Sequence, residues 1–240
     1  MSRLPAIIIA GPGTNRDRDV EAALELAGAS PRIVLASELV RQPELLDEAR
    51  LAVVAGGFSY ADSLGAGRML ALDLVVGVGD RLRDFVERGR PVIGICNGFQ
   101  VLTRTRLLPG ALGHNAQGRF DCRWVVLDSV PNSASLWTKG ITDPIHCPIA
   151  HGEGRYVHPD PESLAAAGQV ALRYRSTNPN GSVADIAGVC DRSGVVLGLM
   201  PHPENHIVAR QHPSHRRGGG GPQHLGLRLF DNGVRHAKEL

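Results

Sequence analysis

No two cysteines in this chain of 240 residues are spaced as CxxC; the four present, Cys96, Cys122, Cys147 and Cys190, lie far apart. That spacing excludes a zinc ribbon and a disulfide framework and points to a reducing, cytoplasmic location. Long apolar runs are missing too: none approaches the ~18 residues of a membrane span. The opening MSRLPAIIIAGPG meets Gly and Pro too early to read as a signal peptide. Charge of one sign is also scarce, with 26 basic against 24 acidic residues and a net charge of +2. Without a basic patch or stripe, dedicated nucleic-acid binding is excluded. There is no GK[ST] phosphate loop after the first strand, and the aspartates of Gly11–Asp19 would oppose a phosphate; a helix cap at Thr14 or Asn15 is the expectation there. His206, His212 and His215 lie close together but show no regular ligand spacing, so no metal site is expected. What the chain does have is 42% apolar residues, enough for a core without staples. Neither an internal repeat nor a linker divides it, which predicts a single domain over residues 1–240.

Short runs that are apolar throughout read as strands buried on both faces: residues 6–10, 32–35, 51–55 and 91–96. Between them lie amphipathic stretches. Val20, Ala23, Leu24 and Ala27 fall on one helical stripe that ends near Gly28, and Leu82, Phe85 and Val86 repeat the pattern before Gly89. Strand–helix–strand alternation predicts a doubly wound, mostly parallel α/β sheet with helices on both faces. Beyond about Gly110 helices thin out. Residues 122–127 and 170–174 read as strands, and 186–190 and 195–200 flank Asp191–Gly194 as a hairpin, so an antiparallel extension is expected in the C-terminal half. Asn178, Pro179 and Asn180 form a turn, RRGGGG at 216–221 reads as a surface loop, and a final helix spans about 224–238.

Three strand ends carry chemistry. In Gly94-Ile-Cys-Asn-Gly98 a buried strand runs into a helix with a cysteine at the sharp turn, the pattern of a nucleophile elbow. Side chains at 94 and 98 would obstruct such a turn, and the helix N-terminus favours thiolate over thiol. Taken alone, the same pattern suits a buried structural cysteine. A second strand end gives Met200-Pro-His-Pro-Glu204, where extended backbone would set His202 and Glu204 side by side as base and orienter. At the third, in Gly56-Gly57-Phe58, backbone N–H groups can approach a ligand and, with the amide of Asn97, stabilise an oxyanion. Together the three favour a Cys-His-Glu triad over coincidence.

The segments GGFSYADSLGAG, GICNGFQVLTRTRLLPGAL, PIAHGEGRYV, NPNGSVADIAGV and GLMPHPE resemble the class I glutamine amidotransferases. Within them they resemble the glutaminase subunits of phosphoribosylformylglycinamidine synthases, over nearly the whole chain. The resemblance implies Cys96 as nucleophile, His202 as general base and Glu204 as its orienter. It places Gly57, Phe58, Asn97 and Gln100 at the oxyanion hole and substrate pocket. It also implies L-glutamine as substrate, a larger synthetase subunit and a small third subunit as partners, and ATP and magnesium on the synthetase rather than on this chain. The chain departs from the family pattern at Arg16, Ala55, Ala61, Gly65 and Asn205, all outside the triad. An amidase or amidotransferase serving another acceptor, and a catalytically silent glutamine-sensing or scaffolding subunit, are the competing readings. His151 and Glu153 are expected to shape a glycine loop at the site's mouth or a partner interface, and Trp124 and Trp137 to lie in the core or an interface.

Overall fold

A computed structural model describes residues 3–217 and 224–240. The strands are β1 (Leu4–Ala10), β2 (Ala29–Leu35), β3 (Leu51–Val54), β4 (Val92–Ile95), β5 (Ala111–Gly113), β6 (Asp121–Ser129), β7 (Ile145–His151), β8 (Arg155–Val157), β9 (Val170–Tyr174), β10 (Ile186–Cys190) and β11 (Val196–Leu199). The helices are α1 (Asp17–Leu26), α2 (Ala36–Arg41), α3 (Leu45–Glu48), α4 (Arg68–Glu87), α5 (Asn97–Arg104), α6 (Pro161–Ala166) and α7 (Leu227–Glu239). Nine strands form one sheet in the order β2-β1-β3-β4-β11-β10-β9-β6-β7, while β5 and β8 pair separately. From β2 to β11 neighbours run parallel, and from β11 to β7 antiparallel. An α/β sheet with a parallel half and an antiparallel extension toward the C-terminus is the architecture the sequence pattern predicts.

Ile8, Ile9, Val53, Val54, Ile93 and Leu197 are fully buried, as strands covered on both faces require. Strand β2 departs from that expectation. It lies at the sheet edge, starts three residues earlier, and leaves Arg32 and Leu35 exposed and Ile33 half-buried. Pro31 is tolerated there because an edge strand need not donate every N–H. Strand β7, unannounced by any apolar run, forms the opposite edge and carries Pro148 for the same reason. Its buried and half-buried residues alternate, as an antiparallel strand's do.

Helix α4 is much longer than the stripe at 82–86 suggests. Its Gly77 allows close contact with α2, since a Cβ there would stand 2.3 Å from a Val40 methyl. The cap of α1 also differs from expectation: Arg16 occupies the N-cap without a side-chain bond. Thr14 Oγ1 instead accepts the Gly11 N–H at 3.0 Å, so it closes the turn before the helix. The hairpin forms as expected, with Cys190 opposite Leu197 and the Asp191 carboxylate accepting the N–H groups of Ser193 and Val196. In the turn before it, Asn178 Oδ1 accepts the N–H groups of Asn180, Gly181 and Ser182. Of the expected loop at 216–221, residues 218–221 lie outside the described residues.

Candidate active site

Cys96 stands between the end of β4 and the start of α5 with φ 51° and ψ −105°. A non-glycine residue in that region stores about 1–3 kcal/mol of backbone strain, which the surrounding structure must hold. It is held on both sides. The Cys96 N–H donates to Leu199 O of β11 at 2.8 Å, and α5 presses onto β3. A Cβ on Gly98 would fall 2.0 Å from Val54 O, and one on Gly94 would fall 2.6 Å from Gly98 O. These are the two glycines of the elbow, and the backbone fills the space their side chains would need. Asn97 opens α5, so its N–H belongs to the set that a helix leaves without an internal partner.

Beyond β11 the chain brings His202 and Glu204 to the same place. His202 Nδ1 lies 2.6 Å from Glu204 Oε1; the imidazole is 2% exposed and the carboxylate 0%. The pairing does not come from extended backbone, because Pro203–Asn205 form a 3₁₀ turn. Pro203 fixes the first position of that turn, and the His202 N–H donates to Pro148 O of β7 at 2.8 Å. Burial by itself would push the imidazole's pKa down; the Glu204 carboxylate and the Cys96 sulfur outweigh it and raise it to about 10. Gly56 completes the contact: a Cβ there would stand 3.0 Å from His202 Cε1 and 3.4 Å from Cys96 Cβ. Nucleophile, base and orienter candidates from two distant segments therefore share one pocket edge.

Gly57 (φ 97°) and Phe58 (φ 35°) continue from Gly56 in left-handed backbone, the first against Asn15. Phe58 is exposed, and its ring stacks on Phe120 at 6.1 Å. The side chains of Asn97 and Gln100 are committed to the protein. Asn97 Nδ2 donates to Gln100 Oε1 at 3.0 Å, Asn97 Oδ1 accepts from the Ser59 hydroxyl, and Gln100 Nε2 donates to Glu153 O at 2.6 Å. Gln100 thus braces the 151–154 segment rather than presenting its amide to a ligand. Asp62, beside this network, has its carboxyl pKa raised by burial and by Glu153.

Sequence reasoning set His151 and Glu153 in a glycine loop at the site's mouth or a partner interface but did not identify β7, the strand that leads into it. Ala150 O lies 3.9 Å from Cys96 Sγ, so the end of β7 borders the sulfur. His151 is buried, and a Cβ on Gly154 would stand 2.3 Å from its ring, which explains the second glycine of HGEG. Asn115 and Asn180 hold this segment through Gly154 N and Gly154 O. The signal available was the glycine pair flanking Glu153; the asparagines are remote in sequence and carried none. Trp137 is fully buried, donating its indole N–H to Val195 O, and Trp124 packs against His206 and His212. Asn205 donates to Asp19 at 2.9 Å and so ties the turn to α1. Among the described residues no three His, Cys, Asp or Glu side chains are grouped to hold a metal ion.

Residues 3–237 match the CobB/CobQ-like glutamine amidotransferase domain. The chain is 44% identical to the phosphoribosylformylglycinamidine synthase subunit PurQ of Treponema denticola, over 87% of this chain and 90% of that protein. It is 38% identical to the subunit of the same name from Dehalococcoides mccartyi over 100% of both. Among solved structures, a chain of PurLQS from Thermotoga maritima superposes with a TM-score of 0.80 at 36% identity, covering 98% of this chain and 99% of that one. A glutamine amidotransferase from Thermotoga maritima, at 16% identity and a TM-score of 0.58, shares the fold.

Proposed function

The chain belongs to the CobB/CobQ-like glutamine amidotransferase family, and on that premise we propose that Cys96, His202 and Glu204 hydrolyse L-glutamine to glutamate and ammonia. The observation that carries this reading is the buried His202–Glu204 pair at 2.6 Å acting on the Cys96 sulfur. Its place in metabolism is that of the glutaminase component of phosphoribosylformylglycinamidine synthase in purine biosynthesis, supported by full-length relatives of 38–44% identity. The family match over residues 3–237 supports one amidotransferase domain.

The Cys96 thiolate attacks the carboxamide carbon of glutamine, and the N–H groups of the Gly57–Phe58 turn and of Asn97 take the developing oxyanion. Protonated His202 gives its proton to the leaving nitrogen; the C–N bond breaks, ammonia departs and a glutamyl thioester remains. A water molecule then attacks the thioester while His202 takes its proton, the C–S bond breaks, and glutamate and the thiolate are released. Glu204 holds Nδ1 through both steps, so that Nε2 is the nitrogen that exchanges the proton. The ammonia is used on a larger synthetase subunit, which forms a complex with this chain and a small third subunit. ATP and magnesium act on that synthetase. No described helix is long and apolar enough to cross a membrane; the cytoplasm is the proposed location, by likeness to the purine-synthesis relatives.

The test is a glutaminase assay of the purified chain, alone and with the synthetase subunit, ATP and the formylglycinamide ribonucleotide. Glutamate release that responds to the synthetase and its substrates is expected. A chain that releases none under either condition would fit a silent scaffold, and release indifferent to the synthetase would fit a stand-alone amidase.

A further inference from the structure

The Glu204 carboxylate is held on one side only. Oε1 faces His202 Nδ1 at 2.6 Å, but Oε2 is buried without a hydrogen-bond partner among the described residues. With no second bond to fix it, the carboxylate is placed by the backbone of the Pro203–Asn205 turn that carries it. That turn is anchored at both ends. At its start the His202 N–H donates to Pro148 O of β7. At its far end the Asn205 N–H donates back to His202 O at 3.2 Å, and the side-chain Nδ2 reaches across to α1, donating to Asp19 Oδ2 at 2.9 Å.

Asp19 Oδ2 takes a second donor, Arg16 Nη1, at 3.0 Å. Arg16 and Asn205 are two of the positions at which the chain departs from its family's pattern, and they meet on this one oxygen. The guanidinium restrains the carboxylate, and a carboxylate can only accept, so the Asn205 amide must turn its NH₂ toward it. The same stretch of chain bears on the other half of the site. A Cβ on Gly57 would fall 2.9 Å from Asn15 N, and one on Gly13 would fall 2.9 Å from Phe58 O. Residues 13–19 thus touch the oxyanion turn at one end and the turn carrying Glu204 at the other. Resting on the glutaminase reading, we infer that Asp19 is a positioning residue of the reaction: through Asn205 it holds the Pro203–Asn205 turn, and with it Glu204 and His202, in register with the Gly57–Phe58 oxyanion donors. Because Arg16 and Asp19 are both partly exposed, their ion pair adds little to global stability, and its effect is one of placement.

The competing role for an acid at this place is a favourable charge in the first turn of α1, which Asp17 shares while bonding only to the Arg18 N–H. Asp17→Ala is accordingly the control. In the complex with the synthetase, Asp19→Ala should lower kcat for glutamine about fivefold, within the net worth of one hydrogen bond, and leave KM unchanged. Asp19→Asn keeps an acceptor and should recover most of that loss. Asn205→Ala should match Asp19→Ala, and the double variant should be no worse than either single one. In nitrogen NMR of histidine-labelled protein, the His202 titration at about 10, which Glu204 and the Cys96 sulfur sustain, should move down in Asp19→Ala and stay in place in Asp17→Ala. An equal loss of kcat in Asp17→Ala, losses that multiply in the double variant, or an unmoved His202 titration in Asp19→Ala would overturn the inference. A wild-type complex inactive on glutamine would overturn the glutaminase reading instead, and the titration, which needs no substrate, would still decide whether Asp19 holds the His202–Glu204 pair.

Discussion

The four sulfurs differ in what surrounds them, and that difference predicts their reactivity. Burial and the Glu204 charge hold the Cys147 thiol well above its ordinary value, and burial raises Cys190 to about 11. Cys122 is exposed on β6, whereas the His202–Glu204 pair faces the Cys96 sulfur. A glutamine analogue with an electrophilic side chain should therefore label Cys96 and spare the other three, as read by peptide mass spectrometry. Labelling centred on Cys122 would remove the nucleophile assignment. For His202 the prediction is one of pH. Its folded value of about 10 lies above the ordinary value near 6.5, so the folded state binds the proton more tightly. The resulting stability is fully present below about pH 6.5 and is lost as pH rises toward about 10. Glu204→Gln removes the carboxylate that sustains this shift. The urea midpoint of the wild type should fall more between pH 7 and 10 than that of Glu204→Gln. The same substitution should cut kcat by about 10²-fold, at the low end of what positioned acid–base groups contribute.

At the scale of elements, the elbow depends on how closely α5 approaches β3. Gly98→Ala places a methyl against Val54 O, which belongs to a strand paired on both sides and cannot recede. A loss of about 3 kcal/mol is expected from urea unfolding, at the upper end for an overpacked methyl, together with loss of glutaminase activity. Gly113→Ala is the control, because nothing lies within 4 Å of a Cβ there. It should stay within about 0.5 kcal/mol of wild type. A tolerated Gly98→Ala would mean that α5 can slide, and that the strained Cys96 backbone is not held as described.

For the whole molecule, the proposed catalytic groups gather where β4 and β11 end, on the side that the end of β7 also reaches. The proposed division of labour places acceptor chemistry on the synthetase. A complex assembled with Cys96→Ala should lose amidine formation from glutamine and retain it with high external ammonia. The substitution removes the ammonia source but only one buried sulfur, leaving the docking surface as it was. Undiminished product from glutamine would refute the division of labour, and failure with external ammonia would show that Cys96 also supports assembly.

Local pattern determined the parallel half of the sheet and the elbow glycines, and it singled out Cys96, His202 and Glu204 as the candidate groups. Runs that are apolar throughout have one stable environment, a strand covered on both faces, and a sharp strand-to-helix turn admits little but glycine beside it. The tertiary structure decided the rest, because it turns on neighbours that lie far apart in the chain. The edge position of β2 is set by the absence of a second neighbour. The alternating burial of β7, with Pro148 inside it, hides the strand from any reading of apolar runs. His202 and Glu204 meet through a 3₁₀ turn anchored on Pro148, not through extended backbone. Gln100, a substrate-pocket candidate by motif, is spent on Glu153 O, while Asn115 holds the His151 ring from 36 residues away. Hydrogen-bond partners of buried polar groups are chosen by proximity in space, and that information arises only when the chain has folded.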